Sequence, residues 1–154
     1  WPVSIAPRLA PGDVVGPFRL VRPLGEGGMG EVWLGERGGG EFRQQVALKL
    51  LKRGMAGADL LVRFRRERRI LADLSHPGIA GFIDGGVHGD GTPWYAMAYV
   101  DGVPITEHAR RAGLDVRSRV ALLAEVAEAV AYAQARLVVH RDIKPSNILV
   151  DAAG

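Results

Sequence analysis

Three short strand-like runs, 18–24, 31–37 and 43–52, follow one another with glycines between them. The intervals are too short to hold a crossover helix, so each run can pair only with its neighbour, as an antiparallel meander. Leu60, Phe64, Glu67, Leu71 and Leu74 then fall at helical spacing, and Pro77 supplies the stop. Residues 79–88 and 92–100 return to strand character around the Gly89-Asp90-Gly91 turn. The expected outcome for residues 18–100 is a five-stranded antiparallel sheet carrying one helix. Residues 1–17 hold Pro2, Pro7, Pro11 and Pro17, show little periodicity, and read as an extended leader.

The character changes after Asp101-Gly102. Residues 104–111 read as a short helix that Gly113 ends, and Asp115 opens a longer one with an apolar stripe at Val116, Val120, Leu123, Ala127 and Val130, running to about Arg136. The fold class is therefore α+β: a small sheet-rich lobe to residue 100, then the beginning of a helical lobe over 101–154. Two helices have little to bury against, and the chain opens on Trp1-Pro2 without an initiating Met. Both features predict a piece of a longer protein.

Composition removes several chemistries. With no Cys there is no disulfide scaffold, thiolate metal site or thiol nucleophile. No stretch reaches the ~20 apolar residues that a membrane span requires, so no membrane contact is expected and the segment is assigned to the cytoplasm. The net charge of +3 raises nucleic acid as a partner. Its densest source is Arg63, Arg65, Arg66, Arg68 and Arg69 on the amphipathic helix. No aromatic residue interleaves with them, so they read as a solvated face and no nucleic-acid partner is expected.

Four motifs carry chemistry. In Gly25-Glu26-Gly27-Gly28-Met29-Gly30-Glu31-Val32 the glycines fall at G-x-G-x-x-G spacing, which lets backbone N–H groups approach phosphate oxygens. A dinucleotide-binding turn would continue as a helix; here Glu31-Val32-Trp33-Leu34 continues as strand, so the loop joins two strands. Lys49, in Val46-Ala47-Leu48-Lys49, offers a compact ammonium suited to a point contact with phosphate. Glu67 lies on the apolar stripe of the helix, where a carboxylate is costly unless a cation meets it; Lys49 is the natural partner. Finally, His140-Arg141-Asp142-Ile143-Lys144-Pro145-Ser146-Asn147 puts a carboxylate, an ammonium and a carboxamide on one loop. Phosphoryl transfer requires those three: a proton acceptor, a phosphate contact and a hard oxygen ligand for Mg²⁺.

With these motifs in this order, the chain resembles the eukaryotic-like (Hanks-type) protein kinases, in their bacterial serine/threonine branch, over residues 17–154. The resemblance implies that Gly25, Gly27 and Gly30 cover the phosphates of ATP. Lys49 holds the α- and β-phosphates and pairs with Glu67 of the family's αC helix. Asp142 is the catalytic base, Lys144 the γ-phosphate contact and Asn147 a Mg²⁺ ligand. Leu24, Val32, Ala47 and Leu149 sandwich the purine; Met97 is the gatekeeper, and the Ala98 carbonyl and Val100 N–H are the hinge partners. Lys144, two residues after Asp142, matches the serine/threonine class, so the implied partner is a protein with a Ser/Thr acceptor. Ala98 departs from the family's usual Glu, at a place where the implied contact is backbone. His76-Pro77 matches the loop after αC, and Arg141 matches kinases whose activation loop is ordered by phosphorylation.

The Asp-Phe-Gly and Ala-Pro-Glu motifs of the family would fall beyond Gly154, so residues 1–154 alone are expected not to turn over. Two other readings stay open at this stage: a nucleotide-binding pseudokinase acting as a scaffold, and a small-molecule phosphotransferase of the same broad fold. Lys144 and the glycine spacing weigh against the second.

Overall fold

The structure, a computed structural model, describes residues 8–27, 30–39, 41–52, 57–140 and 143–154. The described residues form two compact units, one reaching to Arg69 and resuming over Phe82–Tyr99, the other made of Ile70–Gly81 and Val100–Gly154.

The first unit is built on an antiparallel sheet of β1 (Val14–Val15), β2 (Phe18–Glu26), β3 (Gly30–Arg37), β4 (Gln44–Leu51), β5 (Phe82–Val87) and β6 (Pro93–Ala98), in the order β1-β2-β3-β4-β6-β5. The meander is as expected, but among the described residues the sheet has six strands rather than five. The extra strand comes from the end of the leader, where Val14 and Val15 pair with Arg19 and Phe18. Gly12 and Gly16, at φ +95° and +56°, turn the backbone at each end of it. Two residues are too few to show alternation, which is why periodicity missed them.

Alternation along β4 sorts its side chains. Val46, Leu48 and Leu50 are buried together with Val15, Phe18, Leu20, Trp33, Trp94 and Ala96, and Phe18 meets Trp94 edge-on at 6.0 Å. Each such large side chain contributes roughly 1.5–3 kcal/mol of burial. Ala47 and Lys49 fall on the opposite face. The register from Gly30↔Leu51 to Arg37↔Gln44 is unbroken, and β4 continues it into β6 with Lys49 opposite Tyr95. Helix α1 (Ala58–Ala72) buries Phe64 against the Tyr95 ring, 5.2 Å between centroids.

In the second unit, helix α2 (Ile105–Arg111) begins one residue later than expected, because Pro104 belongs to a strand. That strand, β7 (Gly102–Pro104), pairs with β8 (Leu149–Asp151) in a two-stranded sheet that local pattern did not reveal. Helix α3 (Val116–Ala135) starts at Asp115, whose Oδ1 accepts from the Ser118 N–H at 2.8 Å. Val116, Val120 and Leu123 remain exposed at 77%, 58% and 57%. Burial is concentrated at the far end of the helix. There Ala129 is covered, the Tyr132 hydroxyl accepts from the Ser75 N–H at 3.1 Å, and the Tyr132 and His76 rings are 5.0 Å apart.

Helix α3 closes with Val138 N–H donating to Ala133 O and Leu137 N–H to Gln134 O, which requires a left-handed residue at 137. Leu137 occupies it at φ 62° and is 93% exposed, so its side chain recovers almost nothing for the strain. Leu137→Gly is expected to stabilise the protein by about 0.5–1 kcal/mol, read as a raised denaturation midpoint.

The hydrogen bond from Ser118 holds the Asp115 carboxyl below its ordinary 3.8. A depressed folded-state value makes the cap's ionic contribution present above 3.8 and lost as pH falls through the lower folded value. Asp115→Asn retains a capping oxygen that does not titrate. The stability difference between wild type and Asp115→Asn is therefore expected to narrow on acidification below about pH 4, as followed by thermal unfolding.

Candidate functional site

The glycine motif is a hairpin tip. Gly25 pairs with Val32 and Glu26 with Glu31, and Gly27 N–H donates to Gly30 O at 2.8 Å, so strand runs directly into strand. Gly28 and Met29 lie outside the described residues. The glycines at 25, 27 and 30 are glycine for different reasons. A Cβ at Gly30 would collide with the Leu50 carbonyl oxygen, so packing against β4 demands glycine there. At Gly25 and Gly27 a Cβ would meet no described atom within 4 Å, and neither has positive φ. Nothing in the described chain requires glycine at those two positions.

Lys49 and Glu67 are brought together. Lys49 stands opposite Val32 on one side and Tyr95 on the other, and its Nζ lies 2.7 Å from Glu67 Oε1, with side chains 19% and 33% exposed. The same oxygen accepts a 2.5 Å hydrogen bond from the Tyr95 hydroxyl. Tyr95 is fully buried. Burial first, then the Glu67 charge and the hydrogen bond to it, pushes its phenol far above the ordinary tyrosine range, so it stays neutral and donates. Sequence reasoning missed Tyr95. Its spacing of two from Met97 places both on one strand face, but only the pairing of β6 with β4 aims that face at Lys49.

Other assigned residues of the first unit line up along the same strands. Ala47 is paired with both Leu34 and Met97, Ala98 ends β6 opposite Val46, and Leu24 sits half-buried in the irregular stretch of β2 between Pro23 and Gly25. In the second unit, Val100 precedes β7 and Leu149 opens β8 opposite Pro104.

The loop motif also lies in the second unit, and Arg141 and Asp142 fall outside the described residues. After them, Pro145–Asn147 forms a 3₁₀ turn with Lys144 as its N-cap, and the Asn147 N–H donates to Lys144 O at 2.9 Å. The turn is anchored immediately afterwards, where Ile148 O accepts from the Ile105 N–H at 2.9 Å and β8 pairs with β7. Among the described residues no three His, Cys, Asp or Glu side chains cluster as a metal site. No helix among them is long and apolar enough to cross a membrane.

Sequence comparison matches residues 18–154 to the protein kinase domain. The chain is 36% identical to the serine/threonine-protein kinase pkn2 of Myxococcus xanthus over 145 residues, 92% of this chain and 17% of that protein. It is 38% identical to PknA of Mycobacterium tuberculosis over 145 residues, 90% of this chain and 33% of that one. The chain thus spans a third or less of these two curated relatives. Among solved structures, the kinase domain of M. tuberculosis PknI superposes with a TM-score of 0.73 at 37% identity, covering 95% of this chain and 59% of that one. With the kinase-domain match over residues 18–154 and relatives at 36–38% identity, the chain belongs to the protein kinase domain family.

Proposed function

We propose that the protein containing this chain is an ATP-dependent serine/threonine protein kinase acting in the bacterial cytoplasm on protein hydroxyls. The observation that carries the reading is the 2.7 Å contact between Lys49 Nζ and Glu67 Oε1. Partial burial makes either charge costly alone, and the carboxylate fixes a flexible ammonium where it can meet the α- and β-phosphates. Gly25 and Gly27 support it. Where the chain itself does not require glycine, close approach of a phosphate does.

In this reading Lys49 and the backbone of the glycine hairpin bind and orient the triphosphate, with Gly30 setting how tightly that hairpin lies on β4. In the first unit Leu24, Val32, Ala47 and Met97 face the adenine and the Ala98 carbonyl accepts from it; in the second, Val100 and Leu149 take the corresponding roles. Asp142 accepts the proton of the acceptor Ser/Thr hydroxyl as its oxygen bonds to the γ-phosphorus and the bond to the ADP oxygen breaks. Lys144 meets the charge on the transferring group. Asn147 offers a carboxamide oxygen of the hard type that Mg²⁺ takes. Such an ion needs only one or two protein ligands beside the phosphates, so the absence of a three-residue cluster among the described side chains is compatible with it. Bound Mg²⁺ would neutralise charge on the phosphates.

In the full-length protein, Asp142→Asn is expected to lower phosphoryl transfer by about 10²–10⁴-fold with nucleotide affinity nearly unchanged, since Asp142 acts on the incoming hydroxyl and not on the nucleotide. Steady-state transfer and calorimetric nucleotide binding check this, and retained transfer would remove Asp142 from its role. The glycines separate into two outcomes. Gly30→Ala should destabilise the fold by about 1–3 kcal/mol through its collision with Leu50 O. Gly25→Ala should leave the unfolding midpoint in place while weakening nucleotide binding several-fold. A Gly25→Ala protein that binds nucleotide as well as wild type would sever the hairpin from the phosphates.

A further inference from the structure

The Lys49–Glu67 pair has a third member, and its geometry differs from that of the lysine. Glu67 Oε1 receives two donors, Lys49 Nζ at 2.7 Å and the Tyr95 hydroxyl at 2.5 Å. Both come from one place in the sheet, because Lys49 and Tyr95 are directly opposed on β4 and β6 and project to the same face. Lys49 reaches across on a four-carbon stem and keeps 19% of its side chain in solvent. Tyr95 has two side-chain torsions, is wholly buried, and packs its ring on Phe64, one helical turn before Glu67. The flexible donor supplies charge; the fixed donor supplies position.

We propose that Tyr95 is a positioning residue for the phosphate-binding pair: its hydroxyl, held rigidly on β6, keeps the Glu67 carboxylate and helix α1 where Glu67 meets Lys49. The proposal rests on the kinase reading only for its consequence on transfer; the tie between β6 and α1 stands on the contacts alone. A hydroxyl in a fully buried residue that loses its acceptor forfeits its hydration without replacement, which is worth roughly five- to a hundredfold in a conformational equilibrium. The bond to a carboxylate is charge-assisted and at the strong end of that range. Any outward displacement of α1 that separates Glu67 from Lys49 must also break this bond and the Phe64–Tyr95 ring contact. Tyr95 thus favours the paired arrangement before a nucleotide arrives, while Lys49 remains the only one of the two donors that offsets the carboxylate charge.

Tyr95→Phe removes the hydroxyl and leaves the ring on Phe64. In the full-length protein it would be compared with Glu67→Ala and with the double variant, by hydrogen exchange of the α1 backbone amides and by steady-state transfer. The expected result is α1 exchange about five- to tenfold faster in Tyr95→Phe, with kcat/KM for ATP reduced by a similar factor. In the Glu67→Ala background Tyr95→Phe should change either quantity less than twofold. Equal effects in both backgrounds would make Tyr95 a packing residue only and overturn the proposal; so would unchanged exchange in Tyr95→Phe, or faster exchange with undiminished transfer. A wild-type protein that transfers no phosphate would sink the kinase reading alone, and the exchange cycle would still decide whether Tyr95 holds Glu67.

Discussion

The unbroken register of β3, β4 and β6 is the constraint on which the rest of the first unit depends. Because side chains alternate, a slip of one residue would send Val46, Leu48 and Leu50 to the face that carries Lys49, and Lys49 into the apolar cluster. The core therefore selects the register and the register aims the lysine. Its partner is reached by the same logic, since Phe64 must be buried, and burying it against Tyr95 brings Glu67, one turn on, over Lys49. A charged pair that would be expensive to assemble alone is assembled by apolar burial on both sides of it.

Glycine plays opposite parts within one hairpin. At Gly30 the backbone of β3 comes so close to the Leu50 carbonyl that no side chain fits, and this fixes where the hairpin leaves the sheet. At Gly25 and Gly27 a Cβ would meet no described atom, and the lack of a side chain leaves the backbone open to close approach from outside. One spacing motif thus contains a packing requirement and, in the proposed reading, a ligand requirement.

The second unit solves a different problem, anchoring the short exposed turn over Pro145–Asn147. The turn over Pro145–Asn147 is exposed, and the chain directly after it is pinned by the Ile105–Ile148 hydrogen bond and the β7–β8 pairing. Further toward the N-terminus the chain leaves α3 through Leu137 in a left-handed conformation. Such strain persists only where surrounding structure over-determines the backbone.

Much of this was legible in the sequence because the signals are local. Alternation and glycine spacing defined the meander, the 3.6-residue stripe with Pro77 defined α1, and Asp115 announced the start of α3. Glu67 was legible as well, for a carboxylate on an apolar stripe asks for a cation, and Lys49 was at hand. What the sequence could not convey is non-local pairing. The two-residue β1 and the β7–β8 sheet are too short for a period, and their partners lie across a turn or more than forty residues away. Tyr95 belongs with them. As a residue of an apolar strand it carries no mark of a polar role; it acquires one only because β6 pairs with β4 while β5 lies outside, which sets its hydroxyl against the carboxylate of Glu67. Local periodicity is written along the chain by the geometry of one element, whereas the meeting of a tyrosine, a lysine and a glutamate from three elements is decided by which faces the fold must bury together.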